Sequence, residues 1–145
     1  MMKQKLKEDY VILQKQLAWL KISYDECSKI GIKEDYSIDE FGRFETLCSR
    51  YSRSIDYLIR KMFRTIDAYE FENQGTLVDT VNNAEKRGLI ESVELLRIMK
   101  DVRNTLVHEY IEENLKDTFD EVLEYTIVLM QIIQNTEQYI EKLEL

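Results

Sequence analysis

The sequence predicts an all-α fold, an up-and-down four-helix bundle with one additional short helix, on three observations. Proline is absent and glycine occurs only four times in 145 residues, so little in the chain interrupts a helix. Leu, Ile, Glu and Lys recur throughout, and these lose little side-chain freedom in a helix. Apolar residues return in steps of three and four, the seam of a packed helix. The length suits one domain, residues 1–145, with a single core.

The first helix is expected from about Lys3 to Lys29, with Leu6, Tyr10, Leu13, Leu17, Leu20, Tyr24 and Cys27 as its seam and Gly31 as its stop. After a polar loop, the second runs from about Asp39 to Tyr69 and buries Phe44, Leu47, Tyr51, Ile55, Leu58, Met62 and Ile66. Gly75 marks a break. A short third helix from about Thr76 carries Leu77, Val81 and Ala84 and ends at Gly88. The fourth starts near Glu91 and presents Leu95, Met99, Val102 and Leu106. The last begins near Asn114, with Leu115, Phe119, Val122, Thr126, Leu129, Ile133, Ile140 and Leu143 in heptad spacing. These stripes read as core. The Glu-x-x-His pairs of a di-iron bundle are absent, so neither a metal nor another cofactor is expected.

Charge is distributed unevenly. The net charge is −8, yet residues 109–145 hold ten acids against two lysines and so carry the whole excess. The preceding residues balance, and they are free to form a local basic surface. General coating of nucleic acid is disfavoured, because that needs clustered Lys and Arg over much of the surface. No apolar run approaches the ~20 residues that span a bilayer, and the start of the chain lacks a signal-peptide pattern. Cys27 and Cys48 lie in apolar patterns without a CxxC partner, which reads as reduced core thiols in a cytoplasmic protein with no membrane contact.

The one histidine stands late in the fourth helix, in Arg103-Asn104-Thr105-Leu106-Val107-His108-Glu109-Tyr110. Arg, a polar residue, His after four intervening positions and Tyr two further on resemble the R-x4-H-x-Y motif of HEPN proteins. The resemblance is closest to HepT-like toxins and related small proteins paired with minimal nucleotidyltransferases. It is sharpest over about residues 76–112, where Gly88-Leu89-Ile90 opens the motif-bearing helix, and loose over the first two helices. It implies a metal-independent endoribonuclease toxin with Arg103 and His108 catalytic and Asn104 in the accessory polar position. Tyr110 would match the tyrosine that the nucleotidyltransferase antitoxin adenylylates to silence the toxin. The alternative is a non-catalytic HEPN protein that presents a substrate or surface to a nucleotidyltransferase.

The residue chemistry is compatible with cutting RNA. Cleavage without metal needs a base for the ribose 2′-hydroxyl, a proton donor for the leaving 5′-oxygen and a cation for the phosphate. Histidine, with an ordinary pKa of about 6.5, serves either proton role at neutral pH. A permanently charged planar guanidinium suits the phosphate. On a regular helix His108 lies ~140° around the axis from Arg103, while Asn104 and His108 are i, i+4 neighbours. Asn104 and His108 then face away from the buried stripe, and Arg103 and Tyr110 share a flank. One outward histidine cannot fill both proton roles alone, so a homodimer that opposes two His108 side chains is expected. In the second helix, Arg43, Arg50, Arg53, Arg60, Lys61 and Arg64 fall within about 100° of a regular helical wheel, opposite the apolar stripe. That arc reads as a solvated face, an RNA-backbone track or a docking surface for an acidic partner. The acidic last helix reads as a soluble face or as a contact for a basic antitoxin surface.

Overall fold

A computed structural model describes residues 2–70, 75–108 and 115–145, with the backbone alone at 107 and 108. The helices are α1 (Met2–Ile30), α2 (Ile38–Tyr57), a π-helical turn (Leu58–Met62), α3 (Phe63–Tyr69), α4 (Leu77–Lys86), α5 (Val93–His108) and α6 (Leu115–Lys142). α2, the π turn and α3 follow without a break and form the long second helix. Together with α1, α5 and α6 they make a helical bundle, and α4 is the short extra helix. Among the described residues there is no strand, and no helix is long and apolar enough to cross a membrane.

Local chemistry sets the helix ends. Ser37 and Glu40 form a capping box: the Glu40 N–H donates to Ser37 Oγ at 3.1 Å, and the Ser37 N–H donates to Glu40 Oε1 at 3.0 Å. Thr76 and Asp79 do the same for α4, at 3.3 and 3.0 Å. Gly31 and Gly88 have φ of 75° and 76°, the left-handed conformation that terminates a helix and that a side chain disfavours.

α1 runs antiparallel to α2 and α3. Glu26 pairs with Arg43 near one end, and Asp9 meets Tyr57 and Thr65 near the other. α1 is likewise antiparallel to α6, because Glu34 holds Lys116 while Tyr10 donates to Glu141. The core fills the space between these helices, with Leu13, Phe44, Leu58, Met99, Val122 and Leu129 among its buried members. Each such side chain contributes roughly 1.5–3 kcal/mol through removal from water. Phe44 and Phe119 stack at 4.2 Å, and Tyr36 packs edge-on against both, which seals the loop between α1 and α2 onto α6.

Two buried positions of α1 differ from its apolar seam. Asp9 and Ser23 are buried where Tyr10 and Tyr24 are only partly covered. Each receives a donor from the second helix. Tyr57 donates to Asp9 Oδ1 at 2.8 Å, Thr65 to Asp9 Oδ2 at 2.8 Å, and Arg50 to Ser23 Oγ at 2.7 Å. Buried polar groups persist where such partners exist.

The π turn explains how two residues eight apart reach one carboxylate. On an uninterrupted α-helix Tyr57 and Thr65 would point about 80° apart. A π turn takes up one additional residue, which leaves an effective spacing of seven and a divergence of about 20°. The same insertion rotates everything beyond it relative to a regular wheel. On the shifted wheel Lys61 falls about 20° from Arg53 and Arg64 about 80° from it, so the basic arc expected of this helix is widened.

Candidate functional site in the cleft between α2 and α5

α5 is fixed against the core by Leu96, Met99, Val102 and Leu106, all buried. Leu96 takes the position expected of Leu95, which is only partly covered. On α2, Phe44, Leu47, Tyr51 and Ile55 are fully buried. The Tyr51 hydroxyl donates to the Met99 carbonyl at 3.0 Å and ties the two helices together one turn before Arg103. Burial in this core raises the Tyr51 phenol far above its ordinary pKa, with Tyr125 and Glu121 adding to the rise, so it remains a hydrogen-bond donor.

Between the helices lies a cleft of about 460 Å³ lined by Glu45, Cys48, Ser49, Ser52, Arg53, Asp56, Arg103 and Leu106. Arg103 is its central cation. One guanidinium nitrogen donates to Asp56 Oδ2 at 2.7 Å, and another reaches Asn104 Oδ1 at 3.3 Å. Its Nε is shut off from solvent and has no hydrogen-bond partner among the described residues. Arg53 stands across from it and donates to Ser49 Oγ at 2.6 Å. The cleft thus presents two guanidinium groups and two hydroxyls beside two carboxylates. An anion entering here meets a planar fork already oriented by Asp56 and must compete with that carboxylate.

The residues singled out from the sequence separate in the fold. Arg103 enters the cleft, and Asn104 is exposed beside it with its amide oxygen turned to Arg103. His108 ends α5, but its side chain, like Tyr110 as a whole, lies outside the described residues. Of the basic residues of the second helix, only Arg53 joins Arg103. Arg43 is held by Asp39 and Glu26, and Arg50 donates to the Trp19 carbonyl as well as to Ser23. Arg60 and Lys61 are exposed, and Arg64 is partly covered.

Apart from Arg53, the α2 wall is not marked by the sequence. Glu45, Ser49, Ser52 and Asp56 follow one another at steps of four, three and four, a polar seam beside the apolar one. That spacing was available in the sequence; nothing in it indicated which element the seam would face. Cys48 also lines the cleft, and burial pushes its thiol up to about 12, so it does not supply a thiolate at neutral pH. Among the described residues no group of His, Cys, Asp and Glu side chains is arranged to hold a metal ion. No protein-family model, curated protein or solved structure matches the chain.

Proposed function

We propose that the α2–α5 cleft is half of a metal-independent ribonuclease site of the HEPN type, completed by a second copy of the chain. The observation that carries this reading is the pair Arg103 and Arg53 in one cleft, with Arg103 on the helix that continues to His108. Arg103 holds the scissile phosphate, and Asn104 keeps the guanidinium in place. His108 transfers protons at the 2′-oxygen and at the leaving 5′-oxygen, one role from each subunit. The chain acts as a toxin in the cytoplasm, with a minimal nucleotidyltransferase as its antitoxin and Tyr110 as the hydroxyl that receives the nucleotide.

Arg103 tests the phosphate role. Arg103→Ala should reduce RNA cleavage by roughly 100-fold or more, the loss expected when one group that stabilises transition-state charge is removed. Its circular dichroism should match that of the wild type. Full activity of this variant would end the proposal. Tyr110 is tested by incubation with ATP and the nucleotidyltransferase: intact mass should increase for the wild type and stay constant for Tyr110→Phe. Equal labelling of both proteins would exclude Tyr110 as the acceptor.

One observation favours a second reading, a non-catalytic partner of a nucleotidyltransferase. Arg103 is already neutralised by Asp56 in the cleft. A protein that binds the nucleotidyltransferase and leaves RNA intact at every dose would establish that reading instead.

A further inference from the structure

Trp19 is the only tryptophan of the chain, and 53% of its surface is exposed on α1. The guanidinium carbon of Arg50 lies over its ring, 5.9 Å from the centroid, and Arg50 is itself held by the Trp19 carbonyl and Ser23. The indole thus has a cation from α2 over its ring while about half of its surface stays open to solvent. Beside it is a small groove of about 50 Å³ lined by Gln16, Trp19, Arg50, Arg53 and Ser54. The Gln16 amide oxygen is shut off from solvent and has no hydrogen-bond partner among the described residues. Arg53 lines both this groove and the α2–α5 cleft.

We propose that the groove around Trp19 is a base-binding subsite for single-stranded RNA, joined to the α2–α5 cleft through Arg53. The proposal rests on the ribonuclease reading of that cleft and adds where the strand lies. A volume of about 50 Å³ is too small for a whole nucleobase. The base therefore stacks on the exposed indole, with one edge over the groove. Its phosphate runs past Arg53 toward Arg103. Stacking of this kind accepts any base, because every base has a π face.

The indole is its own reporter. A fluorescein-labelled 2′-O-methyl RNA strand, which lacks the attacking hydroxyl, is titrated into the full chain while Trp19 emission and fluorescein anisotropy are followed together. Emission should be quenched with the same midpoint as the anisotropy rise, and an abasic strand of equal length should not quench. Trp19→Ala should weaken binding by about ten-fold, and Trp19→Phe should recover most of it. Because Trp19 is largely exposed, neither change should alter the circular dichroism. An anisotropy rise with unchanged Trp19 emission and equal binding by Trp19→Ala would overturn the subsite and leave the ribonuclease reading standing. Trp19 emission that shifts with protein concentration alone would also overturn it, by assigning the indole to contact between copies of the chain. The absence of strand binding would overturn it too, and cleavage of unmodified RNA by the same preparation would then report separately on the cleft.

Discussion

Glu40 shows how one side chain sets both a helix start and a pH dependence. Its carboxylate accepts from Lys33 and from the Ser37 backbone, and these bonds hold its pKa below the ordinary carboxylate value, the Lys33 bond most of all. A lowered folded-state pKa means that the stabilisation is complete above the ordinary carboxylate range and is lost as the pH falls through the lowered value. Carboxyl NMR should place the Glu40 titration below that of an exposed glutamate, and Lys33→Ala should move it back up. An unchanged titration in Lys33→Ala would remove Lys33 as the main cause. Asp9 and Ser23 mark what a hydrophobic pattern cannot reveal. Both are polar at buried positions, and their partners Tyr57, Thr65 and Arg50 lie dozens of residues away. Periodicity identifies which face of a helix is buried, but not which polar residue will find a donor there.

Helices were legible because their period persists over many turns, and their stops because Gly31 and Gly88 adopt the backbone that ends a helix. The π turn was not legible. It preserves an apolar run at Leu58, Ile59, Met62 and Phe63, and it brings Tyr57 and Thr65 to one remote carboxylate on α1. Its consequence is a shift of the residues beyond it around the helix axis. The junction of α3, α4 and α6 depends on another long-range contact. Arg87 reaches Asp67 at 2.5 Å and Glu70 at 2.7 Å, Tyr139 donates to Glu70, and the Asp67 side chain is wholly buried. Removal of the cation leaves a buried carboxylate without compensation, a loss of about 3–5 kcal/mol. Arg87→Ala should therefore lower the urea midpoint by that equivalent, with the slope of the transition unchanged. A loss under about 1 kcal/mol would show that the junction is held by its apolar contacts alone.

Across the bundle, the acidic excess and the cleft occupy different surroundings. Much of the excess charge lies on α6, where Glu141 accepts from Tyr10 of α1. The cleft has its own balance of two arginines against two carboxylates, so its lining is locally neutral in a protein of negative net charge. Half of this site was readable in advance. Arg103 and Asn104 stand together in an ordered stretch of sequence, whereas Asp56, Ser49 and Ser52 join them only through the packing of α2 on α5. The claim that depends on the whole arrangement is that this cleft, with His108, cuts RNA. The most direct measurement is single-turnover cleavage of a short RNA by the wild type and by His108→Ala, at matched helical content and without added metal. The expected loss in the variant is about 10²–10⁴-fold, the contribution of general acid–base catalysis. Cleavage by His108→Ala at the wild-type rate would contradict it.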